Sequence, residues 1–250
     1  MVRNNCNNLI FSYLLLRRLI GIFAFLLPPA CLLLGYLFSQ LPLQQSLSYY
    51  YYTNVRDLFI GTLICVAVFL ITYKCYSRLD HIITTICGIA CLGVAFFPSY
   101  SIKESVEPVG IFHLIPVVSN KVHFACAALF FILLAFNSLF LFTRTSKTKA
   151  ATKYKRSRNR IYIGCGITIL VSLVTMLVIF LAVADDIIIK YKIIFIVETI
   201  MLVSFGISWL VKGETLFKDP PGTARTIKYC KVIRIPACIP GMRKRKHTPG

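Results

Sequence analysis

Six apolar runs separated by short polar segments dominate the pattern of this chain. We place them at about 19–38, 57–73, 82–97, 123–143, 161–184 and 193–211. A run of roughly 20 apolar residues is long enough for a helix to cross about 30 Å of hydrocarbon. The pattern therefore predicts an all-α fold, a polytopic membrane helix bundle whose six transmembrane helices form one domain at residues 19–211.

Two segments fall outside the predicted bundle. Residues 1–18 form an N-terminal segment, and residues 212–250 form a basic tail with scattered Pro and Gly, which we expect to be largely disordered. Within the first run, Pro28-Pro29 is expected to kink the helix. Because the apolar run continues past these prolines for a full span, we expect no signal-peptide cleavage there.

The positive charge of the chain follows the segments between the runs. If the termini, the 74–81 turn and the 144–160 segment lie on one side, that side holds 23 of the 28 Lys and Arg residues. The other side holds Arg56, Lys103, Lys121, Lys190 and Lys192. Since positive residues favour the cytoplasmic side, the ratio predicts that both termini are inside. The net charge of +19 is not gathered on one face, so we expect no nucleic-acid partner.

The composition agrees with this class of protein. Hydrophobic residues make up 57% of the chain and charged residues 15%, whereas soluble domains have about 45–50% and about 25%. Six of the ten cysteines lie in the predicted spans, where Cys behaves as a small hydrophobic residue. The other four fall on the predicted cytoplasmic side, so we expect no disulfide framework.

No motif of a soluble enzyme is present. The sequence has no phosphate-binding glycine loop, no HExxH and no G-x-S-x-G. Cys87 and Cys91 share one face of the third span, and this spacing fits helix packing better than metal binding. We therefore expect neither a metal site nor a cofactor.

The predicted topology collects polar residues at the outer membrane face. The loops before the second and fourth spans and the start of the sixth span all lie there. Glu198 lies about 9 Å inside its helix, at about 1.5 Å per residue, and an intramembrane carboxylate usually faces the bundle interior at a functional site. We therefore predict a polar pocket built from Arg56, Asp57, His123 and Glu198, with Ser48 and His113 as lesser candidates.

These residues also have structural interpretations. Asp57 fits the first turn of a helix that Asn54 caps. Tyr49–Tyr52 fit an aromatic belt at the level of the lipid headgroups. The sequence leaves the partner of Glu198 open among Arg56, Lys121 and His123.

Three short motifs occur in order along the predicted spans. They are SLSYY at 46–50, GIACLG at 88–93 followed after an outer loop by HFACAALFF at 123–131, and Glu198 in the sixth span. This arrangement resembles the DRAM/Frag/Sfk family of six-span membrane proteins and uncharacterised microbial families of similar layout. In that family tryptophan usually follows the glutamate, whereas Thr199 follows it here. The resemblance covers roughly residues 19–211 and implies lipid-anchor remodelling, control of bilayer asymmetry or regulation of membrane trafficking.

Four residues also match a second family. Ser48, Asp57, His113 and His123 are similar to the residues that CREST membrane hydrolases place around a zinc at one membrane face. Those proteins have seven spans and paired histidines on the last, whereas the sixth span here has no histidine. This resemblance implies a metal-dependent lipid amidase or esterase in which zinc-bound water is the nucleophile.

The sequence as a whole favours a non-catalytic membrane protein that engages or regulates lipids through the outer-face pocket. In this hypothesis Arg56 meets a headgroup phosphate or Glu198, while Asp57 and His123 fix the orientation. Membrane lipids are the expected partners, with anionic headgroups at the 144–160 segment and the tail. The plasma (inner) membrane is the expected location, with an organelle membrane as the alternative. A metal-dependent lipid hydrolase at the same site and a proton-coupled transporter of small solutes stay open.

Overall fold

The computed structural model describes residues 2–73, 77–99, 110–144 and 153–215. Within these ranges the chain forms helices and no strand, which confirms the all-α prediction. The α-helices are α1 (Val2–Ser39), α2 (Arg56–Thr72), α3 (Arg78–Phe96), α4 (Pro116–Phe136), α5 (Lys153–Ala182), α6 (Asp185–Tyr191) and α7 (Ile193–Lys212). A 3₁₀ helix, Leu47–Tyr52, lies between α1 and α2, and a π-helical turn, Asn137–Leu141, extends α4.

Five of the described helices are long and apolar enough to cross a membrane. They are Ser12–Ser39 within α1, Arg78–Phe96, Pro116–Leu141, Tyr154–Ala182 and Ile193–Lys212. Large hydrophobic side chains such as Phe38, Val174 and Leu181 are exposed on their outward surfaces, as contact with hydrocarbon requires. The protein is therefore a multi-pass integral membrane protein. The remaining predicted span corresponds to α2, which has 17 residues and is shorter than these five.

The first helix begins earlier than the hydrophobic pattern indicates. α1 runs without interruption from Val2, so the predicted N-terminal segment is helical, and its residues from Ser12 onward belong to the first candidate span. Pro28-Pro29 lies inside this helix and does not end it. The early start has a packing reason, because Tyr13 and Arg17 are buried against the rest of the bundle.

Two other boundaries also differ from the prediction. α4 begins at Pro116 rather than near residue 123, because proline is favoured in the first helical turn, where its missing N–H removes no hydrogen bond. His123 therefore lies about two turns inside α4. The predicted link at 185–192 contains the short helix α6. Lys192 is the C-cap of this helix and has the left-handed backbone conformation, with φ 52°.

The long helices pack as a closed ring. α1 contacts α2, α2 contacts α3, α3 contacts α4, α4 contacts α5, and α5 contacts α7, which returns to α1. Leu70, Leu134, Ile169 and Phe205 are at most 1% exposed in the core of this ring. Neighbours in the sequence are thus neighbours in space, as short connections between antiparallel helices favour.

Small residues bring adjacent helix backbones close together. A Cβ atom added to Gly206 would lie 2.8 Å from the Gly21 carbonyl oxygen, and one added to Gly21 would lie 2.9 Å from that of Gly206. Gly88 makes the same kind of contact with the Ala67 carbonyl oxygen, at 2.7 Å. Membrane helices commonly associate through small residues in this way.

The described cysteines are free thiols, and several contribute to this packing. Buried Cys87 and Cys91 direct their Sγ atoms toward the carbonyl oxygens of Phe130 and Leu63, at 3.7 and 3.4 Å. They pack against neighbouring helices, as the sequence indicates. The side chain of Cys6, together with Cys75, Cys230 and Cys238, lies outside the described part of the chain.

At one end of the ring, here called the Arg17 end, the buried Arg17 side chain connects three helices. The Arg17 guanidinium donates hydrogen bonds to the hydroxyls of Tyr13 and Tyr73, both at 2.6 Å, and to the Lys212 carbonyl oxygen at 3.2 Å. These contacts link α1, the end of α2 and the end of α7. The ion pair between Arg144 and Asp80, at 2.7 Å, lies at the same end.

The opposite end, here called the Glu198 end, carries the 3₁₀ helix and the first turns of α2, α4 and α7. α2 therefore leads from the Glu198 end, at Arg56, to the Arg17 end, where Tyr73 contacts Arg17. Successive long helices run in opposite directions. The beginning of the first span and the end of the last lie at the same end of the ring.

Candidate functional site

The 3₁₀ helix is held across the Glu198 end of the bundle. Leu47 and Tyr50 are 3% and 1% exposed, and residues three apart lie on one face of a 3₁₀ helix. Just before this helix, the Gln45 carbonyl accepts a hydrogen bond from the Phe195 N–H at 3.1 Å. The N–H groups in the first turn of α7 have no acceptor within their own helix. This hydrogen bond therefore holds the loop in place and also satisfies one of these N–H groups.

Glu198 contacts the start of the 3₁₀ helix. Its Oε2 atom accepts a hydrogen bond from the Leu47 N–H at 2.5 Å, and its carboxyl group lies beside Ser48, with which it lines the same two cavities. The predicted partners Arg56 and Lys121 are both exposed, and His123 is linked to Glu198 through Ser48. The sequence could not indicate the Leu47 N–H as a partner of Glu198, because every residue except proline has a backbone N–H.

Ser48 and His123 form a hydrogen-bonded pair. Ser48 Oγ lies 3.0 Å from His123 Nε2, and His123 Nδ1 lies 2.7 Å from the Phe97 carbonyl oxygen at the end of α3. Since a carbonyl only accepts, Nδ1 carries a proton, and Nε2 of the neutral ring is left as an acceptor for the Ser48 hydroxyl. His123 thereby satisfies the Phe97 carbonyl, which the end of α3 leaves without a helical partner.

Glu198, Ser48 and His123 form one polar cluster at the Glu198 end, here called the polar trio, in which Ser48 and His123 are hydrogen-bonded and Glu198 lies beside Ser48. The protonation of His123 and Glu198 decides which hydrogen bonds the cluster can form. With a neutral imidazole, a Glu198 carboxylic acid donates to Ser48 Oγ, and the Ser48 hydroxyl donates to Nε2. With an imidazolium, Nε2–H donates to Ser48, and the Ser48 hydroxyl donates to the carboxylate. Both arrangements satisfy every bond and have zero net charge, which avoids the high cost of an unpaired charge within the membrane.

The polar trio lies at the edge of an open pocket of about 190 Å³, here called the amphipathic pocket. Its polar lining consists of Gln45, Ser46, Ser48, Tyr49, Ser99, Asn120 and Glu198. Its apolar lining consists of Phe124, Phe180, Ile188, Ile189 and Ile194. The short helix α6 contributes much of the apolar part, and the loop before α2 contributes most of the polar part.

A second, smaller cavity of about 40 Å³ lies on the other side of the polar trio. Apart from Ser48, His123 and Glu198, it is lined by Leu27, Leu47, Phe59, Leu63, Val94, Ala127, Phe130, Phe131 and Leu202. This inner cavity is apolar, so the polar trio forms the boundary between a half-polar pocket and the hydrophobic interior.

Two of the four residues predicted for the pocket do not belong to it. Arg56 and Asp57 are exposed at the start of α2, and the Arg56 guanidinium lies 5.2 Å from the centre of the Tyr51 ring. Asp57 occupies the first turn of α2, where a carboxylate interacts favourably with the helix dipole. Neither Arg56 nor Asp57 lines the amphipathic pocket or the inner cavity. The residue of the first turn of α2 that reaches the inner cavity is Phe59.

The remaining candidates also separate into residues that meet at the polar trio and residues that lie away from it. His123, Glu198 and the lesser candidate Ser48 are brought together, whereas His113 is exposed in the turn before α4, with φ 46°. Asn54 is not the cap of α2, since that position is Val55, and the Asn54 amide donates to Ser39 Oγ at 3.1 Å. Sequence reasoning ranks Ser48 too low, because only its contact with His123 distinguishes it from other loop serines.

The metal-binding interpretation has no support in this geometry. Among the described residues, no group of three or more His, Cys, Asp or Glu side chains could hold a metal ion. Of the residue set that resembles CREST hydrolases, Ser48 and His123 meet, but Asp57 and His113 do not line either cavity. The donor set for zinc is therefore not assembled.

Two predicted partner surfaces extend beyond the described residues. The basic 144–160 segment is described only at Arg144 and from residue 153 onward, and the tail is described only as far as residue 215. The predicted disorder of the tail and its contact with anionic lipids concern residues outside the described ranges, and they stay predictions.

Comparison with known proteins gives no relative, since no family model, no curated protein and no solved structure matches this chain.

Proposed function

We propose that the protein is a six-span membrane protein with both termini inside and the Glu198 end facing outward. The lopsided distribution of Lys and Arg supports this orientation. The course of α2 supports a sixth span, because this helix connects the same two ends of the ring as its longer neighbours. At about 1.5 Å per residue, its 17 residues extend about 25 Å, near the lower limit for a membrane helix.

The function that we propose is the binding or regulation of membrane lipids at the amphipathic pocket. The observation that carries the proposal is the combination, in one open pocket, of a polar side with Glu198 and Ser48 and an apolar side with Phe124 and Ile189. A lipid has the same division at its headgroup–acyl junction. Ligand sites are typically apolar cavities with a few polar groups that fix orientation, and the pocket has this character.

The chemistry of the polar lining favours particular lipid groups. Glu198, Gln45 and Asn120 offer carboxyl and amide oxygens, and no described Lys or Arg lines the pocket. Hydroxyl and amine groups can donate to these oxygens, and ester groups can accept from the Gln45 and Asn120 amide N–H groups and from the serine hydroxyls. These groups therefore fit the lining better than an isolated phosphate, which favours a cationic partner. The exposed Arg56 lies outside the pocket, so we do not propose that it contacts a headgroup phosphate. We propose instead that the lipid contacts the polar trio. The plasma (inner) membrane is the proposed location.

Proton-coupled transport is not favoured by this arrangement. A transport path needs polar groups that continue through the membrane. Beyond Ser48, His123 and Glu198, the inner cavity among the described residues has an apolar lining. The hydrogen-bonded trio therefore leads to a hydrophobic interior, and we do not propose a transport function.

A pocket-filling substitution tests the lipid proposal. Ile189→Trp places a bulky ring in the amphipathic pocket, whereas Ile187→Trp, two residues earlier on α6, adds the same ring at a position that is 47% exposed. The protein in nanodiscs is photocrosslinked to a diazirine-bearing glycerophospholipid, and the labelled peptides are quantified by mass spectrometry. We expect Ile189→Trp to reduce labelling of the pocket peptides by about fivefold or more, since it fills the cavity that would hold the lipid, and Ile187→Trp to leave labelling unchanged. Equal labelling of the two variants would exclude the pocket as a lipid site.

A further inference from the structure

The Ser48–His123 pair has the geometry of an activated nucleophile. A nucleophilic serine needs a base within about 2.6–3.2 Å and a third group that orients this base. Here the Oγ–Nε2 distance is 3.0 Å and the Phe97 carbonyl holds Nδ1 at 2.7 Å. The carbonyl occupies the place of the carboxylate in a Ser-His-Asp triad, where the third group fixes the tautomer and the ring orientation.

Ser48 is also positioned to reach a substrate. The residue is only 8% exposed, yet it lines the open amphipathic pocket, opposite the apolar side that α6 and Phe180 provide. A lipid whose acyl chain lies along that side brings its ester group to the polar side, next to Ser48. This position requires that a lipid occupies the pocket, so any reaction of Ser48 with a lipid rests on the proposed lipid-binding function.

We propose that Ser48 is a nucleophile that accepts the acyl group of an ester-linked membrane lipid, with His123 as its general base. The site would thus belong to a metal-independent acyl hydrolase or acyltransferase. This reaction differs from zinc-dependent hydrolysis, because the protein supplies the nucleophile and no metal ion takes part.

The first step forms a bond between Ser48 Oγ and the carbonyl carbon of the ester. The hydroxyl proton passes to His123 Nε2 as the tetrahedral oxyanion forms. When this oxyanion collapses, the bond between the carbonyl carbon and the alcohol oxygen breaks, and Nε2–H protonates the departing alcohol. Ser48 is then an acyl ester, and a water molecule or the hydroxyl of a second lipid attacks it with the same proton transfers.

Glu198 is a positioning residue in this reaction. Its bond to the Leu47 N–H fixes the start of the 3₁₀ helix that carries Ser48. Only the neutral arrangement of the trio directs the Ser48 proton at His123, since an imidazolium has no free lone pair to accept it. The reactive arrangement therefore has a Glu198 carboxylic acid that donates to Ser48 Oγ.

Covalent labelling with an alkyl fluorophosphonate tests the assignment. This reagent forms a phosphorus–oxygen bond with an activated serine and releases fluoride. The full-length protein in phosphatidylcholine nanodiscs is incubated with a long-chain alkyl fluorophosphonate, and the adduct is located by peptide mass spectrometry. We expect one adduct, on Ser48, which Ser48→Ala abolishes. His123→Gln should slow its formation by about 100-fold or more, the usual contribution of a general base.

Ser39→Ala is the matched control, because Ser39 lies at the same end of the bundle but does not line the pocket. It should be labelled as fast as the unaltered protein. An unlabelled native protein, an adduct that persists in Ser48→Ala, or equal rates with and without His123 would each overturn the proposal.

Lipid photocrosslinking of the Ser48→Ala protein separates this inference from the proposed lipid binding. If pocket peptides are crosslinked but native Ser48 does not react, the site binds lipid and the nucleophile assignment is wrong. If crosslinking avoids the pocket, the lipid proposal itself is wrong, and labelling of Ser48 would then reflect a reactive serine without a lipid substrate. A thermal melt of each variant in detergent identifies any loss of signal that comes from misfolding.

Discussion

At the scale of single residues, the main polar feature of the interior is the polar trio, which lies at the edge of the hydrophobic core. Ser48, which is buried, has one hydroxyl proton to donate, and His123 and Glu198 are the two acceptors beside it. The charge state of the trio and the direction of the Ser48 hydroxyl are therefore coupled. Loss of the Glu198 side-chain contacts should therefore lower the reactivity of Ser48, although Glu198 does not touch the bond that forms.

Two substitutions of Glu198 test this coupling. The amide of Glu198→Gln accepts from the Leu47 N–H and donates to Ser48 Oγ, so it imitates the carboxylic acid of the reactive arrangement. Glu198→Ala removes both contacts. We expect the glutamine variant to react with the fluorophosphonate within about threefold of the native rate and the alanine variant to lose about tenfold or more. Loss of labelling in both variants would show that Ser48 needs an ionised Glu198.

The helices that carry the trio are fixed by close backbone contacts. α7, which bears Glu198, touches α1 through the reciprocal contact of Gly21 and Gly206. Any side chain at either position must push the two helices apart. At the scale of elements, the depth of Glu198 relative to the 3₁₀ helix therefore depends on residues that lie well below the pocket.

Alanine substitutions of glycine measure this packing. Gly206→Ala places a methyl group against the Gly21 backbone, where neither partner can move aside, and we expect a loss of about 1–3 kcal/mol in stability. Gly61→Ala is the matched control, because a Cβ atom there meets nothing within 4 Å, and it should be neutral or stabilising by up to about 1 kcal/mol. Thermal unfolding of each variant in the same detergent gives the comparison. Equal melting temperatures would contradict the proposed role of the α1–α7 contact.

At the scale of the whole molecule, the ring of helices places the loops alternately at its two ends. The Arg17 end holds Arg144, Arg78 and the end of α7, and the Glu198 end holds the amphipathic pocket. If the proposed orientation is correct, the pocket opens toward the outer leaflet and takes its lipid from there.

Accessibility labelling tests the proposed orientation. Lys121→Cys and Arg78→Cys are introduced separately into a variant without other cysteines, since both positions are exposed and lie at opposite ends of the ring. We expect a membrane-impermeant maleimide to modify position 121 in intact cells and position 78 only after permeabilisation. The reverse result would turn the pocket toward the cytoplasm, and modification of both positions in intact cells would contradict the alternation of the loops.

The sequence by itself determined the class of the protein, an all-α multi-pass membrane protein. Long apolar runs have few alternatives in hydrocarbon, because only a helix satisfies every backbone group within one segment. The all-α fold and the multi-pass character follow directly from this constraint. The intramembrane position of Glu198 was also predictable, since it depends on distance along one helix. The family resemblance stays a prediction.

Only the tertiary structure decided which polar residues meet. Arg56, Asp57, His123 and Glu198 are equivalent in the sequence, because all lie near the same predicted face of the membrane. Their separation depends on the rotation of α2 and α4 about their axes and on the 3₁₀ helix, which folds Ser48 inward between His123 and Glu198. Helix rotation is set by packing against neighbouring helices, and the decisive partners of Glu198 and His123 include backbone groups of Leu47 and Phe97. Every residue has such groups, so no residue pattern marks the ones that are used.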